Sequence, residues 1–491
     1  MLYNLIIIGA GSAGIPCAIK AAERGLKVLV IEKDNRVGGT LHLTAGHLSG
    51  ANTNRQNEKG IADSTENHYN DIVRISKNTM DATIAKKAVD LAPSTINWLQ
   101  KIGYVFHELT PIIIYGHEPY YTPRTYFGKD DYAAKDITGS GKMILKTLMP
   151  IWDKYVFEGK IEILFNHSFE DLHRAENIVT DITVKNCLIN EFFNIVCKNI
   201  NVVITTGGYA ANAAFYNDVM KPYEGNPNIH FAKRLLSTAN EFSQGEGTKA
   251  LINIGATFAG ADKYMSTLGG IELEPKSGKA SFWDAWASVS NSKDRMPREI
   301  YINENGERFM NEHDLTVDER ERIVLQQPNQ RFYVVFDEAS LLAGPCVVVQ
   351  WNANKFKEES AKEKCCWQAN SIEELAIKIN VPFKNLEKNI TNFNIAVDSK
   401  NDIQFCRTIL EHKVDTAPYY VLLVYAYSLI SFGGIKVNEQ LQILCEDGTT
   451  IKNCYAAGEI LGAAATSSNA FCGGMLLTPA ISFGKWLGDT L

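Results

Sequence analysis

No Cys-x-x-Cys pair occurs among the ten cysteines of this 491-residue chain, and the adjacent Cys365 and Cys366 are too close in sequence to bridge each other without strain. A disulfide framework and a paired-thiol metal site are therefore not expected, and the thiols read as reduced. Basic residues are not in excess: 49 Lys and Arg face 56 Asp and Glu, for a formal charge of −7. That balance gives no reason to expect nucleic acid or an anionic membrane as a partner. Long apolar runs are also missing. The first one, Leu5–Ile8, meets Gly9 at once, and Gly11, Ser12, Gly14 and Pro16 break any continuation toward Ile19. Neither a membrane span nor a signal peptide is expected, so the expected compartment is the cytoplasm. Internal repeats, low-complexity linkers, a spaced metal-ligand set and a nucleophile triad are not evident. What remains, 45% hydrophobic and 21% charged residues, suffices for a large core and two or three compact units.

The N-terminus carries the clearest pattern. Leu5–Ile8 reads as a fully apolar strand, residues 9–14 spell Gly-Ala-Gly-Ser-Ala-Gly, Ile15–Arg24 has helical spacing before Gly25, and Lys27–Ile31 is a second strand. In such a βαβ unit Gly9 permits the tight turn, Gly11 lets backbone approach a pyrophosphate, and Gly14 lets helix and strand pack closely. Ser12 and Ala13 complete the turn, where the free N–H groups of a helix N-terminus favour an anion. Glu32, with Lys33 after it, stands at the end of the second strand, where a carboxylate accepts hydrogen bonds from ribose hydroxyls. A dinucleotide is the expected ligand.

Further motifs come at intervals. Arg36-Val37-Gly38-Gly39-Thr40 precedes Ala45-Gly46, a helix-rich region runs to Ile102, and Tyr115–Lys142 reads as loop. Asn201–Thr205 is a buried-type strand entering Thr206-Gly207-Gly208-Tyr209. Residues 299–312 read as a hairpin turning at Asn305-Gly306. Near the C-terminus Tyr455-Ala456-Ala457-Gly458-Glu459 ends a strand, and a glycine-rich stretch with Gly473 and Gly474 leads to a last helix near Thr478-Pro479.

Taken with Arg308-Phe309-Met310-Asn311-Glu312 and Phe432-Gly433-Gly434, these ordered motifs resemble the FAD-dependent fumarate reductase and succinate dehydrogenase flavoprotein superfamily. The chain looks closest to its soluble 3-ketosteroid dehydrogenase-like branch. The resemblance implies an α/β fold: a Rossmann-type FAD-binding domain, residues 1–263 and 433–491, split in sequence by an α+β capping domain at 264–432. It also implies that Glu459 bonds the ribitol or ribose, and that Gly473 and Gly474 bring N–H groups to the flavin ring. A plain helix-entry turn is the alternative for those two glycines. Thr40 stands where membrane-complex members carry the histidine that tethers FAD, so FAD is expected to be non-covalent.

The dicarboxylate-binding residues of that superfamily are not matched. Leu268 and Leu429-Ile430 fall at its histidine positions, Phe471 or Cys472 at one arginine, and Thr316-Val317-Asp318-Glu319-Arg320 keeps the other only with a shift of two residues. Apolar groups there remove the means of holding buried carboxylates. The expected substrate is a small, weakly charged apolar or aromatic molecule with a C–C or C=C bond next to a carbonyl, exchanging hydride with flavin N5. A flavin oxidase of an amine or hydroxyl substrate and a non-catalytic flavin-binding protein are the alternatives. No second nucleotide fingerprint points to bound NAD, so an unspecified electron donor or acceptor is expected.

An acid or base must serve the second carbon. Arg320 and Asp318 are the candidates after Asn311-Glu312, against the reading of residues 318–322 as a solvated helix face. Tyr427, with Tyr425, is a candidate against ordinary strand aromatics. Arg124 matches an arginine near the flavin in relatives, with packing or phosphate contact as the alternative. His107, His117 and His313 read as structural histidines or shuttles.

Overall fold

The computed structural model describes residues 3–129, 139–226, 229, 236–280, 283–289 and 295–491. Its largest sheet has six strands in the order Gln442–Leu444, Thr450–Ala456, Asn201–Ile204, Leu5–Ile8, Val28–Ile31, Ile161–Leu164. All neighbours are parallel except the antiparallel pair Gln442–Leu444 and Thr450–Ala456. Every residue of Leu5–Ile8 and Val28–Ile31 is buried. That explains their unbroken apolar sequence, because helices and a further layer cover both faces of a parallel sheet.

The first helix, Gly14–Glu23, starts one residue before the expected boundary, and Gly25 lies just beyond its end at φ +88°. It packs against the C-terminal helix Leu477–Thr490 through glycines. A Cβ on Gly484 would come 2.0 Å from the carbonyl oxygen of Ala13, and one on Gly488 would come 2.3 Å from that of Cys17. Between Ile161–Leu164 and Asn201–Ile204 the chain forms an antiparallel three-stranded sheet, His167–Ala175, Ile178–Asn186 and Glu191–Val196, which the motifs do not announce.

The second large sheet is built around the long strand Tyr419–Tyr427. It pairs antiparallel with Arg331–Asp337, Thr267–Gly270 and Cys366–Ala369, while Ile300–Ile302 adds to Arg331–Asp337. The turn expected at Asn305-Gly306 is present, with Gly306 at φ +73° and its N–H donating to the Asn303 carbonyl at 3.0 Å. Its second arm is not a strand, however. After a single bridge between Ile302 and Arg308, it enters a buried ion cluster. Arg308 grips Glu312 at 2.7 and 2.6 Å and Asp402 at 2.8 Å, and Arg407 reaches Glu312 at 3.3 Å.

Of the loop expected over Tyr115–Lys142, residues 130–138 lie outside the described residues. The remainder is more regular than expected: Thr125–Tyr126 pairs with Leu48–Ser49, and a helix already begins at Gly139. All ten cysteines are free. Among the described residues no helix is long and apolar enough to cross a membrane.

Candidate functional site

A cavity of about 620 Å³ opens where the glycine turn leaves the parallel sheet. Gly9, at φ +102°, has no room for a side chain, since a Cβ would lie 2.4 Å from the Thr205 carbonyl oxygen. Gly14 presses the helix onto the turn, a Cβ there reaching within 1.9 Å of the Gly9 oxygen. Gly11 differs: nothing lies within 4 Å of its Cβ position, and with Ser12 and Ala13 it forms the cavity wall. The three glycines thus have three different surroundings: a positive φ and a crowded Cβ position at Gly9, a close helix–turn contact at Gly14, and open space beside Gly11.

Glu32 closes the next part of the wall. Its Oε2 accepts from the Ala10 N–H at 2.7 Å and its Oε1 from the Asp34 N–H at 2.8 Å, which fixes the carboxyl while burial pushes its pKa up. Lys33 also lines the cavity, paired with Glu246 and with its ammonium 5.7 Å from the centre of the Phe242 ring. Thr206 and Gly207 face the same space.

The wall also carries Gly39, Thr40, Ala45, Gly458, Glu459 and Gly474, with Gly39 beside Gly11 and Gly458 beside Ala13. Glu459 is half-buried, desolvation raises its pKa, and its Oε1 accepts from the Ser431 N–H at 2.9 Å. Gly38, Gly46, Gly208 and Gly473 stand behind the wall. The space beside Gly208 is filled, a Cβ there meeting Glu459 Oε1 at 2.3 Å, and the Gly473 carbonyl accepts from the Tyr120 hydroxyl at 2.8 Å. His42 turns away, its Nε2 bonding the Val37 carbonyl at 2.9 Å, so Thr40 is the residue presented to the cavity.

Leu429, Ile430, Phe471 and Cys472 also line this cavity, together with Trp283. Leu268 does not. It is packed in the core of the second sheet, its carbonyl accepting from the Trp286 indole at 3.1 Å, because its strand turns that side chain inward. Among the described residues Lys33 is the one Lys or Arg on the wall.

None of the four acid–base candidates reaches the wall. Arg124 is 1% exposed and locked to Asp63 at 2.6 and 2.8 Å and to Asp71. Arg320, equally buried, donates to the backbone carbonyls of Leu315, Val289 and His313 at 3.2, 2.9 and 2.7 Å. The helix Val317–Leu325 is not a solvated face either, since Asp318, Arg320 and Glu321 are all buried. The reading as a solvated face fails because these three side chains point into the protein, Arg320 to backbone carbonyls and Asp318 to His117, while Glu319 stays exposed. Tyr427 lies in a small core cluster, and burial, with a smaller contribution from the nearby Glu321, pushes its phenol up. Tyr425 accepts from Arg331 at 3.2 Å.

His107 and His313 hold local turns, through the Leu109 N–H at 3.3 Å and Asp314 at 2.7 Å. His117 is different: it stacks on Phe471 with ring centres 4.2 Å apart and meets Asp318 Oδ2 at 3.2 Å. Burial tends to raise the Asp318 carboxyl, but the bonds from His117 and the Glu118 N–H hold it below its ordinary value.

Many wall residues are not singled out by any sequence motif, His47 and Phe242 among them. His47 stands directly after Ala45-Gly46, and its place beside that motif is the only available signal; burial lowers its pKa to about 4. Phe242 has no sequence signal at all.

A glycine turn, a carboxylate at the end of the second strand and a cavity of this size on a parallel sheet belong to a mixed α/β flavoprotein fold. The chain belongs to the FAD binding domain family, which matches residues 4–476, and FAD is its cofactor. It is 24% identical over 487 residues to the NADH:fumarate oxidoreductase of Klebsiella pneumoniae, covering 99% of this chain and 47% of that protein. The chain therefore spans about half the length of that relative. It is also 24% identical over 476 residues to the vinyl phenol reductase of Lactiplantibacillus plantarum, covering 93% of this chain and 89% of the relative. A solved 3-ketosteroid Δ1-dehydrogenase from Sterolibacterium denitrificans shares the fold, with a TM-score of 0.77 at 18% identity over 99% of this chain and 98% of that one.

Proposed function

We propose that this chain is an FAD-dependent reductase or dehydrogenase acting on a C–C or C=C bond next to a carbonyl in a weakly charged, apolar or aromatic substrate. The observation that carries this reading is the composition of the cavity wall. Leu429, Ile430, Phe471 and Trp283 line it, and Lys33, already paired with Glu246, is the one described Lys or Arg on it. Two carboxylates entering such a wall would lose hydration without ionic partners, at several kcal/mol per ion, whereas an enone gains from apolar contact. The relatedness to a vinyl phenol reductase along most of both chains supports an uncharged or weakly charged substrate.

Bound FAD supplies hydride exchange at N5. The protein's part, in this reading, is to hold the pyrophosphate at Gly11, Ser12 and Ala13, the ribose at Glu32, and the flavin end between Thr40, Glu459 and Gly474, without a covalent link. The cofactor unit comprises residues 1–263 and 433–491 and the cap 264–432, acting in the cytoplasm with a separate electron partner. Arg124, Arg320, Asp318 and Tyr427 serve as structural or positioning groups, because each is committed to buried partners away from the wall.

The test is anaerobic stopped-flow reoxidation of the photoreduced protein by fumarate beside cyclic and aromatic enones. Reoxidation by an enone and not by fumarate is expected. Fast reoxidation by fumarate alone would overturn the reading, and hydrogen peroxide release with substrate oxidation in air would replace it by an oxidase.

A further inference from the structure

Behind Phe471, two parts of the chain that are 201 residues apart in sequence bring three ionisable side chains together. His117 comes from the loop after Tyr115, and Asp318 and Glu321 come from adjacent turns of the helix Val317–Leu325. One ligand atom from each lies within 4.8 Å of the other two. We propose that His117, Asp318 and Glu321 form a binding site for one divalent cation of the Zn²⁺ class, which ties this loop to this helix.

Hydrogen bonding leaves two of these carboxylate oxygens unanswered. Asp318 Oδ2 accepts from His117 at 3.2 Å and from the Glu118 N–H at 3.1 Å, but Asp318 Oδ1 has no partner. Glu321 Oε2 has none either. Both side chains are more than nine-tenths buried, Asp318 being 5% and Glu321 1% exposed. A buried carboxylate oxygen without a donor costs about 1–3 kcal/mol, and more when charged. A proton shared between the two would need them in direct hydrogen-bond contact, and neither makes one.

A cation removes these difficulties together. Two bonds of roughly 2.0–2.2 Å span most of the separation of the donors, so a small rotamer adjustment closes the set on one ion. The charge then balances, a neutral imidazole and two carboxylates against a dication. One nitrogen with two oxygens suits a borderline metal such as Zn²⁺ better than Mg²⁺ or Ca²⁺, which prefer oxygen alone. His117 is 22% exposed at its side chain, leaving an entry path and room for a water as fourth ligand. Its ring is already oriented by Phe471 and by the backbone bond from the Val317 N–H to the Gly116 carbonyl at 3.0 Å. Because Phe471 also lines the cavity, an ion here would stiffen that part of the wall. This site stands independently of the reaction proposed above.

The experiment is calorimetric titration of the EDTA-treated, FAD-bound protein with zinc chloride, with magnesium chloride as the contrast. One equivalent of Zn²⁺ is expected to bind and to raise the melting temperature, and Mg²⁺ to do neither. Glu321→Gln and, separately, His117→Ala should each weaken Zn²⁺ binding by at least about tenfold. Unchanged flavin absorbance in Glu321→Gln would show that the variant is folded. Absence of stoichiometric Zn²⁺ binding would overturn the proposal. So would equal binding by Glu321→Gln, which would assign the metal to surface histidines.

Discussion

The glycine turn at residues 9–14 and the helix Val317–Leu325 both carry short local patterns, yet the first pattern describes its surroundings and the second does not. In the turn, each residue's task comes from backbone geometry within a few neighbours: a positive φ, a close helix–strand contact, an open face. In the helix, Asp-Glu-Arg-Glu-Arg has the composition of a solvated surface, but three of its charged groups are buried, Arg320 against Val289 and Asp318 against His117 among them. Local steric demands are carried by residue type. The destination of a charged side chain is not.

The strongest way to break that contrast is Gly11→Val. A Cβ there has no protein atom within 4 Å and points into open space where a valine would occupy the proposed pyrophosphate cradle, so the protein should fold with unchanged far-UV circular dichroism and retain no FAD. Normal flavin occupancy would remove the special status of the turn. In the neighbouring buried ion cluster, Arg308→Met leaves Asp402 without its ion partner and Glu312 with Arg407 alone, and should cost about 3–5 kcal/mol in denaturant unfolding. A loss below about 1 kcal/mol, the level of a surface pair, would mean that burial adds nothing to these pairs.

A smaller effect is expected from Glu32→Ala. Its carboxyl holds the Ala10 and Asp34 N–H groups and faces the cavity, and its removal should weaken FAD binding by about 1–3 kcal/mol, read by fluorescence titration of the apoprotein. Acid provides the mildest probe. His68 is fully buried against Ser49, and burial, then Arg124, lowers its pKa from 6.5 to about 3. The unfolded chain therefore takes up a proton that the folded protein refuses. This contribution is present in full above pH 6.5 and is lost by about 1.4 kcal/mol per unit as the pH falls below it. Melting curves between about pH 7 and 5 should show the decline, and His68→Gln should flatten it.

By itself the sequence determined the βαβ unit, the steric surroundings of Gly9, Gly11 and Gly14, the place of Glu32 at the end of the second strand, and the turn at Asn305-Gly306. These depend on steric and hydrogen-bonding needs satisfied within one or two adjacent elements. It also supplied, through family resemblance, Thr40, Gly458, Glu459 and Gly474, all of which the structure brings to one cavity. Only the tertiary structure decided that Leu268 faces a core, that Arg124 and Arg320 are locked to buried partners, that His47 and Phe242 line the cavity, and that His117 meets Asp318 and Glu321. Each of these is a contact between distant segments, and the free energy that selects it comes from burial and charge pairing across the assembled layers rather than from the preferences of neighbouring residues.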